Sequence, residues 1–248
     1  MAQRYSPYFQ RDNTELAEQG MTTNGACTPK KKKTTSKEER LRTPDKRFGG
    51  LTEEDVQKLL LPDHLAEHLD IIFVGINPGL VSAYKGHHYC GNNNHFWPLL
   101  YESGLIQEKL TYEKDFKCLQ YGIGMTNIVA RTTRSAAELS RAEIKAGKES
   151  LQQMIRTLKP LILCFNGKGI YEIFSGKKCQ TGRQKDFENV AVYVMPSTSG
   201  LVAQYPRKED KLIFFQELKK LRDEEKNKKN KIKEESVETG GGNVETQS

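Results

Sequence analysis

Three short apolar runs constrain the fold more than any other feature of this 248-residue chain. They are residues 70–75 (Asp-Ile-Ile-Phe-Val-Gly), 161–165 and 190–194. Continuous apolar runs of this length, each followed by turn-forming residues, are typical of strands covered on both faces. Helical periodicity lies between and after them, in residues 95–102, 137–158, 169–174 and 209–222. Thr52 is expected to cap an earlier helix that carries Val56, Leu59 and Leu60. This alternation predicts an α/β fold, a three-layer α/β/α sandwich around a mostly parallel central sheet.

The net charge is concentrated at the two ends of the chain. Residues 1–48 contain 11 Lys/Arg against 6 Asp/Glu, and residues 219–233 contain 8 against 3, whereas residues 49–218 are balanced at 20 against 19. Polar ends bury too little apolar surface to offset the entropy of ordering. We predict a disordered basic N-terminal tail at 1–48, a folded domain at 49–225 and a disordered charged C-terminal tail at 226–248. Basic tails favour a polyanionic partner such as nucleic acid, and solubility explains them equally well.

Composition and cysteine usage exclude several classes of protein. No apolar run approaches the roughly 18–20 residues that a membrane span needs, and residues 1–20 lack the hydrophobic segment of a secretory signal. The five cysteines are odd in number and form no C-x-x-C pair, which argues against a disulfide framework. We expect an intracellular protein with reduced thiols and no membrane attachment.

The residues that follow the predicted strands are the first candidates for a site, because ligands of such sheets bind beyond the carboxyl ends of the strands. Asn77, in Asn-Pro-Gly after the first strand, would project from a rigid strand end into that crevice. Its amide can accept a hydrogen bond from water through the carbonyl and donate one through the NH2 group. The same tripeptide is also an ordinary turn sequence.

Two further loops carry groups suited to phosphates. Asn166 and Lys168 open a helix, where backbone N–H groups and a cation can hold an anion. Ser197 to Gly200 offers hydroxyls and backbone N–H groups after the third strand. Leu201 follows as an apolar side chain in a polar loop, and such a tip either wedges into a base stack or folds back onto the core.

A metal site is not expected. His87, His88 and His95 with Cys90 match no common zinc-finger or metalloprotease spacing. The sequence also contains no P-loop, Gly-x-Ser-x-Gly or kinase signature and no close acid pair in the loops. We therefore expect neither a metal nor a cofactor.

The motifs, in this order, resemble the mismatch-specific uracil/thymine DNA glycosylase family, most closely the eukaryotic thymine-DNA glycosylases, whose fold belongs to the uracil-DNA glycosylase superfamily. The resemblance covers about residues 65–222. The matching segments are 75–79 (Gly-Ile-Asn-Pro-Gly), 83–89 (Ala-Tyr-Lys-Gly-His-His-Tyr), 94–97 (Asn-His-Phe-Trp), 121–124 (Tyr-Gly-Ile-Gly), 126–127, 131–133 (Arg-Thr-Thr), 165–168 (Phe-Asn-Gly-Lys), 170–174, 195–197 (Met-Pro-Ser) and 204–207 (Gln-Tyr-Pro-Arg).

The resemblance implies a role for each matching position. Asn77 is implied to hold the catalytic water and Thr133 to help position it. The residues implied to form the base-binding pocket are Ile76, Ser82, His88, Tyr89 and Asn127, the last of which reads the polar edge of the pyrimidine. The residues implied to contact the DNA backbone are Asn166, Lys168, Ser197, Ser199 and Arg207, and the intercalating wedge is Gly200 with Leu201.

The implied activity is that of a monofunctional DNA glycosylase. Such an enzyme flips out and hydrolyses uracil, and more weakly thymine or other 5-substituted uracils, from G·U and G·T mismatches in double-stranded DNA, leaving an abasic site for base-excision repair. Ser82 departs from the alanine of vertebrate thymine-DNA glycosylases beside the C5 substituent, which disfavours thymine. Leu201 replaces their arginine and matches the bacterial enzymes. The alternatives are a catalytically silent DNA-binding relative and, last, a Schiff-base lyase acting through Lys85.

Partners and location follow from the same resemblance. Residues 232–235 (Ile-Lys-Glu-Glu) form an aliphatic-Lys-x-Glu pattern, so Lys233 is implied to be a SUMO acceptor, and an ordinary charged tail is the alternative. A downstream abasic-site repair enzyme is the implied protein partner. We expect a monomer located in the nucleus, for which the basic run Lys30–Lys33 is suggestive.

Overall fold

The computed structural model describes residues 37–240. The helices are α1 (Lys37–Arg42), α2 (Glu53–Gln57), α3 (Leu80–Lys85), α4 (Phe96–Glu102), α5 (Arg141–Leu158), α6 (Lys168–Ser175) and α7 (Glu209–Gly240). The strands are β1 (Ile71–Gly75), β2 (Ile123–Asn127), β3 (Ile162–Asn166), β4 (Gly182–Phe187) and β5 (Val190–Met195). Short 3-10 segments occupy Lys46–Phe48, Tyr112–Tyr121 and Ala136–Glu138. None of the helices in this described part of the chain is long and apolar enough to cross a membrane.

The strands form one sheet in the order β2-β1-β3-β5-β4. β2, β1, β3 and β5 run parallel, and β4 pairs antiparallel with β5 at the edge. From β1, the chain continues to β2 on one side and then to β3 on the other side. This change of direction creates a crevice at the carboxyl ends of the central strands. The predicted mostly parallel sheet is confirmed.

Helices cover both faces of the sheet, so the three-layer prediction is also confirmed. Ile71 and Phe73 of β1 point to one face, where they pack with residues of α4 and α7 such as Leu99 and Phe215. The intervening residues of β1 point to the opposite face and pack against α5 and α6. All four apolar residues of β1 are buried. This explains why the strand reads as a continuous apolar run and not as an alternating one.

Side-chain caps determine where two helices begin. Thr52 caps α2 through a capping box with Asp55, as the sequence predicted a cap at this position. Ser140 caps α5 in the same way with Glu143. The predicted helix over 137–158 therefore starts later than expected, since Ala136–Glu138 forms a separate 3-10 turn before the Ser140 cap.

The predicted domain boundaries are wrong at both ends of the described chain. Residues 37–48 are ordered, and Phe48 is buried against Val56, Leu80 and Ala83, so the folded unit begins before residue 49. Helix α7 continues to Gly240 and is not replaced by a tail at 226. Its extension is fastened by Lys226, whose Nζ lies 2.7 Å from Asp70 Oδ2. Residues 1–36 of the predicted N-terminal tail, including Lys30–Lys33, and residues 241–248 lie outside the described residues.

Strand β2 was not predicted, because its sequence contains a glycine that weakens the strand pattern. A Cβ on Gly124 would lie 2.6 Å from Leu69 Cδ1 and 2.8 Å from the carbonyl oxygen of His64. The segment 61–69 therefore crosses close over β2, and only glycine leaves room for it. The glycine in the sequence of β2 is therefore required by the close contact with segment 61–69, and β2 is a strand in spite of it.

Candidate functional site

A cavity of about 450 Å³ opens at the carboxyl ends of β1, β2 and β3. Most of the residues predicted to form the site line it. These residues are Ile76, Asn77, Ser82, His88, Tyr89, Asn127, Asn166 and Ser197. The topology brings them together because parallel strands present their carboxyl ends at one edge of the sheet.

Asn77 is held by contacts on the loop after β2. Its Nδ2 donates to Thr133 Oγ1 at 2.7 Å and to the carbonyl oxygen of Arg131 at 2.9 Å. Thr133 is buried and in turn donates its hydroxyl proton to the carbonyl oxygen of Ser135 at 2.9 Å. A bridge between Gly79 and Thr133 holds the two loops side by side.

These bonds determine which way the Asn77 amide points. The carbonyl oxygens of Arg131 and Ser135 can only accept, so the amide nitrogen faces Arg131 and the Thr133 hydroxyl presents a lone pair to it. Within the described residues, no donor occupies Asn77 Oδ1. The site therefore offers a fixed hydrogen-bond acceptor at the wall of the cavity.

Asn127 ends β2 directly beside Gly75 at the end of β1, where the two residues are register partners. A Cβ on Gly75 would collide with Asn127 Oδ1. Glycine at this position therefore allows the amide of Asn127 to lie over the end of β1 and to line the cavity. Its amide can both donate and accept, as recognition of a polar base edge requires.

His88 and Tyr89 form another wall of the cavity, and Asp115 fixes their backbone. Asp115 is buried and accepts the His88 backbone N–H at 2.9 Å, while His64 Nε2 and His87 Nδ1 each lie 3.1 Å from its carboxylate. Tyr89 adopts a left-handed conformation at φ 53° and stacks on Phe96 with ring centroids 3.9 Å apart. A residue other than glycine rarely adopts this backbone conformation unless surrounding contacts hold it.

His88 is neutral in the folded protein. Burial lowers the pKa of His88 to about 4. Its Nε2 lies 2.9 Å from the carbonyl oxygen of Pro62, so Nε2 carries the ring proton. Near neutral pH, His88 therefore cannot act as an acid in the charged imidazolium form.

Ser82 lines the cavity from α3, and its Oγ lies 3.6 Å from Cys90 Sγ. Cys90 is buried, and its burial raises the pKa of the thiol. The thiol therefore stays protonated and serves as a weak donor to Ser82. The serine hydroxyl is the polar group on this part of the cavity wall.

Leu201 stands at the tip of the loop after β5 with 86% of its surface exposed, so it does not fold back onto the core. Asn166 holds this loop: its Nδ2 donates to Thr198 Oγ1 and its Oδ1 accepts the Thr198 backbone N–H, both at 2.9 Å. Asn166 is buried in this arrangement. These hydrogen bonds give Asn166 a positioning role in the loop, and its contact with a backbone phosphate stays a prediction.

The remaining predicted DNA contacts are distributed around the cavity. Lys168 lines a neighbouring cavity of about 470 Å³ that shares Asn166 and Ser197 with the first. Ser199 accepts the backbone N–H of Leu201 through its Oγ at 3.3 Å. Arg207 lies at the surface in an ion pair with Asp210 at 2.7 Å and lines neither cavity.

Sequence reasoning missed a basic part of the cavity mouth. Arg47 and Arg134 line the cavity, and both bind the buried carboxylate of Glu53. Residues 45–48, which bring Arg47 here, were predicted to belong to the disordered N-terminal tail. The Asp45 and Thr52 caps were the available signal that this segment folds.

No carboxylate belongs to the described lining of the first cavity. The described residues also contain no group of three or more His, Cys, Asp or Glu side chains arranged to hold a metal ion. His87 is placed beside Asp115 and His95 beside Lys211. The chemistry available at the cavity is therefore that of neutral amides, hydroxyls and a neutral imidazole, with the Arg47 and Arg134 guanidinium groups at its mouth.

Comparisons with known proteins identify the family of this chain and proteins similar to it. Residues 62–219 match the family model of the uracil DNA glycosylase superfamily. The chain is 34% identical over 157 residues to a G/U mismatch-specific uracil DNA glycosylase of Schizosaccharomyces pombe, with 58% of this chain covered, and it spans about half (48%) of that relative's length. A solution NMR structure from Methanosarcina acetivorans, described as a candidate uracil DNA glycosylase, aligns with a TM-score of 0.46 at 25% identity over 65% of this chain and 98% of that chain.

Proposed function

Because the chain belongs to the uracil DNA glycosylase superfamily, we propose that it is a monofunctional DNA glycosylase acting on uracil in G·U mismatches of double-stranded DNA. It turns the mismatched nucleotide out of the duplex into the cavity, hydrolyses the N-glycosidic bond and leaves an abasic site for base-excision repair. The observation that carries the proposal is the Asn77 amide, oriented at the cavity wall by Thr133. The name of the yeast relative supports the choice of G·U.

Asn77 would orient the attacking water. Its Oδ1 accepts a hydrogen bond from the water, which directs an oxygen lone pair towards C1′ of the sugar. The bond between C1′ and the base nitrogen breaks, its electron pair leaves with the base, and the water oxygen bonds to C1′. One proton of the attacking water passes to solvent or to the departing base anion, and the other stays on the new C1′ hydroxyl. Because a neutral amide is a poor base, this water attacks a carbon that is already strongly cationic.

Stabilisation of the transition state would come mainly from the base. The cavity lining contains no carboxylate to neutralise the sugar cation, and His88 is neutral. Hydrogen bonds from Asn127 and from backbone N–H groups would stabilise the negative charge that develops on the departing pyrimidine. We therefore propose a slow enzyme whose rate follows the stability of the base anion, so that uracil leaves faster than thymine.

Weaker action on thymine in G·T pairs is part of the proposal. The Ser82 hydroxyl lines the cavity, and we propose that it faces the C5 substituent of the base, as the family resemblance implies. A hydroxyl held by Cys90 leaves less space for a methyl group than alanine does and loses hydrogen bonding when a methyl covers it. Binding of thymine in the cavity therefore costs free energy that binding of uracil does not cost.

Contacts with the duplex would come from the rim. The exposed Leu201 fills the space that the flipped nucleotide vacates in the base stack. Lys168, Ser197 and Ser199 lie on the loops beside it and would bind backbone phosphates. These contacts hold the duplex while the base occupies the cavity.

The test is excision from duplex oligonucleotides that contain G·U, G·T or A·U, measured by alkaline strand cleavage. We expect strong cleavage for G·U, weak cleavage for G·T, and loss of cleavage in Asn77→Ala with DNA affinity retained. Asn227→Ala, an exposed asparagine on α7, is the matched control. Tight binding of the duplex with no excision of any base would instead identify a catalytically silent DNA-binding relative.

A nuclear monomer that hands its product to an abasic-site repair enzyme completes the proposal. Lys233, the proposed SUMO acceptor, belongs to helix α7, and its side chain lies outside the described residues. Sumoylation in vitro should be lost in Lys233→Arg and retained in Lys231→Arg. Equal modification of both variants would remove Lys233 from consideration.

A further inference from the structure

Three successive residues before Leu201 are each bonded to another part of the protein. The carbonyl oxygen of Thr198 accepts the His95 backbone N–H at 2.9 Å. Ser199 accepts a hydrogen bond at its carbonyl oxygen from Lys211 Nζ at 2.7 Å. Gly200 donates its N–H to the carbonyl oxygen of Asn93 at 2.6 Å. The loop is thereby held between the 91–95 segment and the start of α7.

Gly200 is required for this close contact. A Cβ at this position would lie 2.6 Å from the Asn93 carbonyl oxygen and 3.5 Å from His95 Nε2. The backbone of the loop therefore lies directly against the 91–95 segment. That segment also contributes Gly91 and Asn94 to the lining of the base cavity. The loop tip and the cavity wall consequently share one support.

Lys211 occupies a position that is unfavourable for a lysine in two respects. Only 1% of its surface is exposed, and burial lowers the pKa of its ammonium group. It also lies in the first turn of α7, where the helix dipole disfavours a cation. Its Nζ reaches Ser199 O and lies 3.3 Å from His95 Nδ1, so both of its partners belong to the loop and its support.

We propose that Lys211 is a positioning residue that holds the loop carrying Leu201 in the conformation needed to open the duplex. The proposal rests on the glycosylase function proposed above. Lys211 is too buried to touch DNA, so it acts through the Ser199 carbonyl and through His95. Without it, the carbonyl loses a charged donor and the loop tip samples other conformations, which lowers the fraction of molecules in which Leu201 is aligned.

The decisive experiment is a double-mutant cycle of Lys211→Met and Leu201→Ala, measured as the ratio of uracil excision from a G·U duplex to excision from single-stranded DNA. A charged hydrogen bond shifts an equilibrium by about tenfold or more. We expect Lys211→Met to lower the ratio by about tenfold when Leu201 is present and by less than about twofold when residue 201 is alanine. Equal losses in both backgrounds would overturn the proposal. Lys220→Met, an exposed lysine of the same helix, should leave the ratio unchanged.

Hydrogen exchange separates failure of this proposal from failure of the proposed function. In Lys211→Met, the amides of residues 198–202 should exchange about tenfold faster than in the wild type, while those of β1 keep their rates. This result is expected even if the wild type excises no base. Unchanged exchange in the loop would overturn the role of Lys211. If Lys211→Met does not fold, Lys211→Gln, which keeps an uncharged donor, is subjected to both measurements with the same criteria.

Discussion

Asn77 Nδ2 lies 2.7 Å from Thr133 Oγ1 across 56 residues of sequence. This hydrogen bond joins the loop after β1 to the loop after β2, and it directs the amide oxygen of Asn77 away from its protein partners. The Thr133 hydroxyl performs this role because its own proton is engaged by the Ser135 carbonyl. The water-positioning group of the proposed enzyme is therefore a pair of residues and not a single asparagine.

Replacement of Thr133 by valine should lower the rate of uracil excision by about tenfold, because the Asn77 amide loses its shortest hydrogen bond and is held less firmly by the remaining bond to the Arg131 carbonyl. Single-turnover excision from a G·U duplex measures the effect. Thr157→Val, a surface change on α5 that also removes a hydroxyl bonded to a carbonyl, should stay within about twofold of the wild type. An unchanged rate in Thr133→Val would show that the valine variant orients Asn77 by other contacts.

Ser82→Ala should raise excision of thymine relative to uracil. The alanine removes the hydroxyl that Cys90 contacts and creates room for a methyl group beside the base. We expect the G·T to G·U ratio of single-turnover rates to rise by about three- to tenfold. Discrimination of this order is typical of a pocket that distinguishes substrates by one methyl group. Ser150→Ala on the exposed surface of α5 is the control. An unchanged ratio would show that Ser82 does not determine the discrimination against thymine.

Leu201→Ala should weaken opening of the duplex more than it weakens hydrolysis. The exposed leucine carries the contact area that replaces the flipped nucleotide. We expect uracil excision from G·U duplexes to fall about tenfold or more and excision from single strands to fall less, since unstacking costs a few kcal/mol only in the duplex. Ile213→Ala, at another exposed apolar side chain, controls for loss of surface area. Equal falls on both substrates would contradict the wedge assignment.

Acid should destabilise the protein through His88. The pKa of this buried histidine is lowered to about 4, against 6.5 for the unfolded chain, so the unfolded state binds a proton first as pH falls. Its contribution to stability is constant above about pH 6.5 and is progressively lost between pH 6.5 and 4, by on the order of 3 kcal/mol. Urea unfolding at several pH values should show a smaller loss in His88→Gln than in the wild type. Parallel pH profiles in the two proteins would refute this assignment.

Arg134→Met should lower the free energy of unfolding by about 1–2 kcal/mol, because the buried carboxylate of Glu53 loses one of its two arginine partners. The effect is smaller than for a fully buried pair, since Arg134 itself is partly exposed and solvent screens it. Arg156→Met, which breaks the exposed pair with Glu188, should cost less than about 1 kcal/mol. Equal costs in urea unfolding would mean that burial of Glu53 does not strengthen the contact.

The sequence alone determined the local parts of this protein. The apolar runs identified β1, β3 and β5, because a strand covered on both faces needs apolar residues at successive positions. Thr52 marked the start of α2 because a side-chain cap acts within one turn. The Asn-Pro-Gly motif located Asn77 at a strand end, and the order of motifs indicated the family before any contact was known.

Only the tertiary structure decided which side chains meet. Lys211 contacts His95 across 116 residues, and Arg134 reaches Glu53 across 81. Neither pair can be recognised from a periodic pattern in the sequence, because such contacts depend on how the helices and loops pack around the sheet. For the same reason, β2 was not recognised around Gly124, and the bond between Asn166 and Thr198 could not be predicted from the sequence. Periodicity and caps are properties of neighbouring residues, whereas the geometry of the site is a property of the assembled layers.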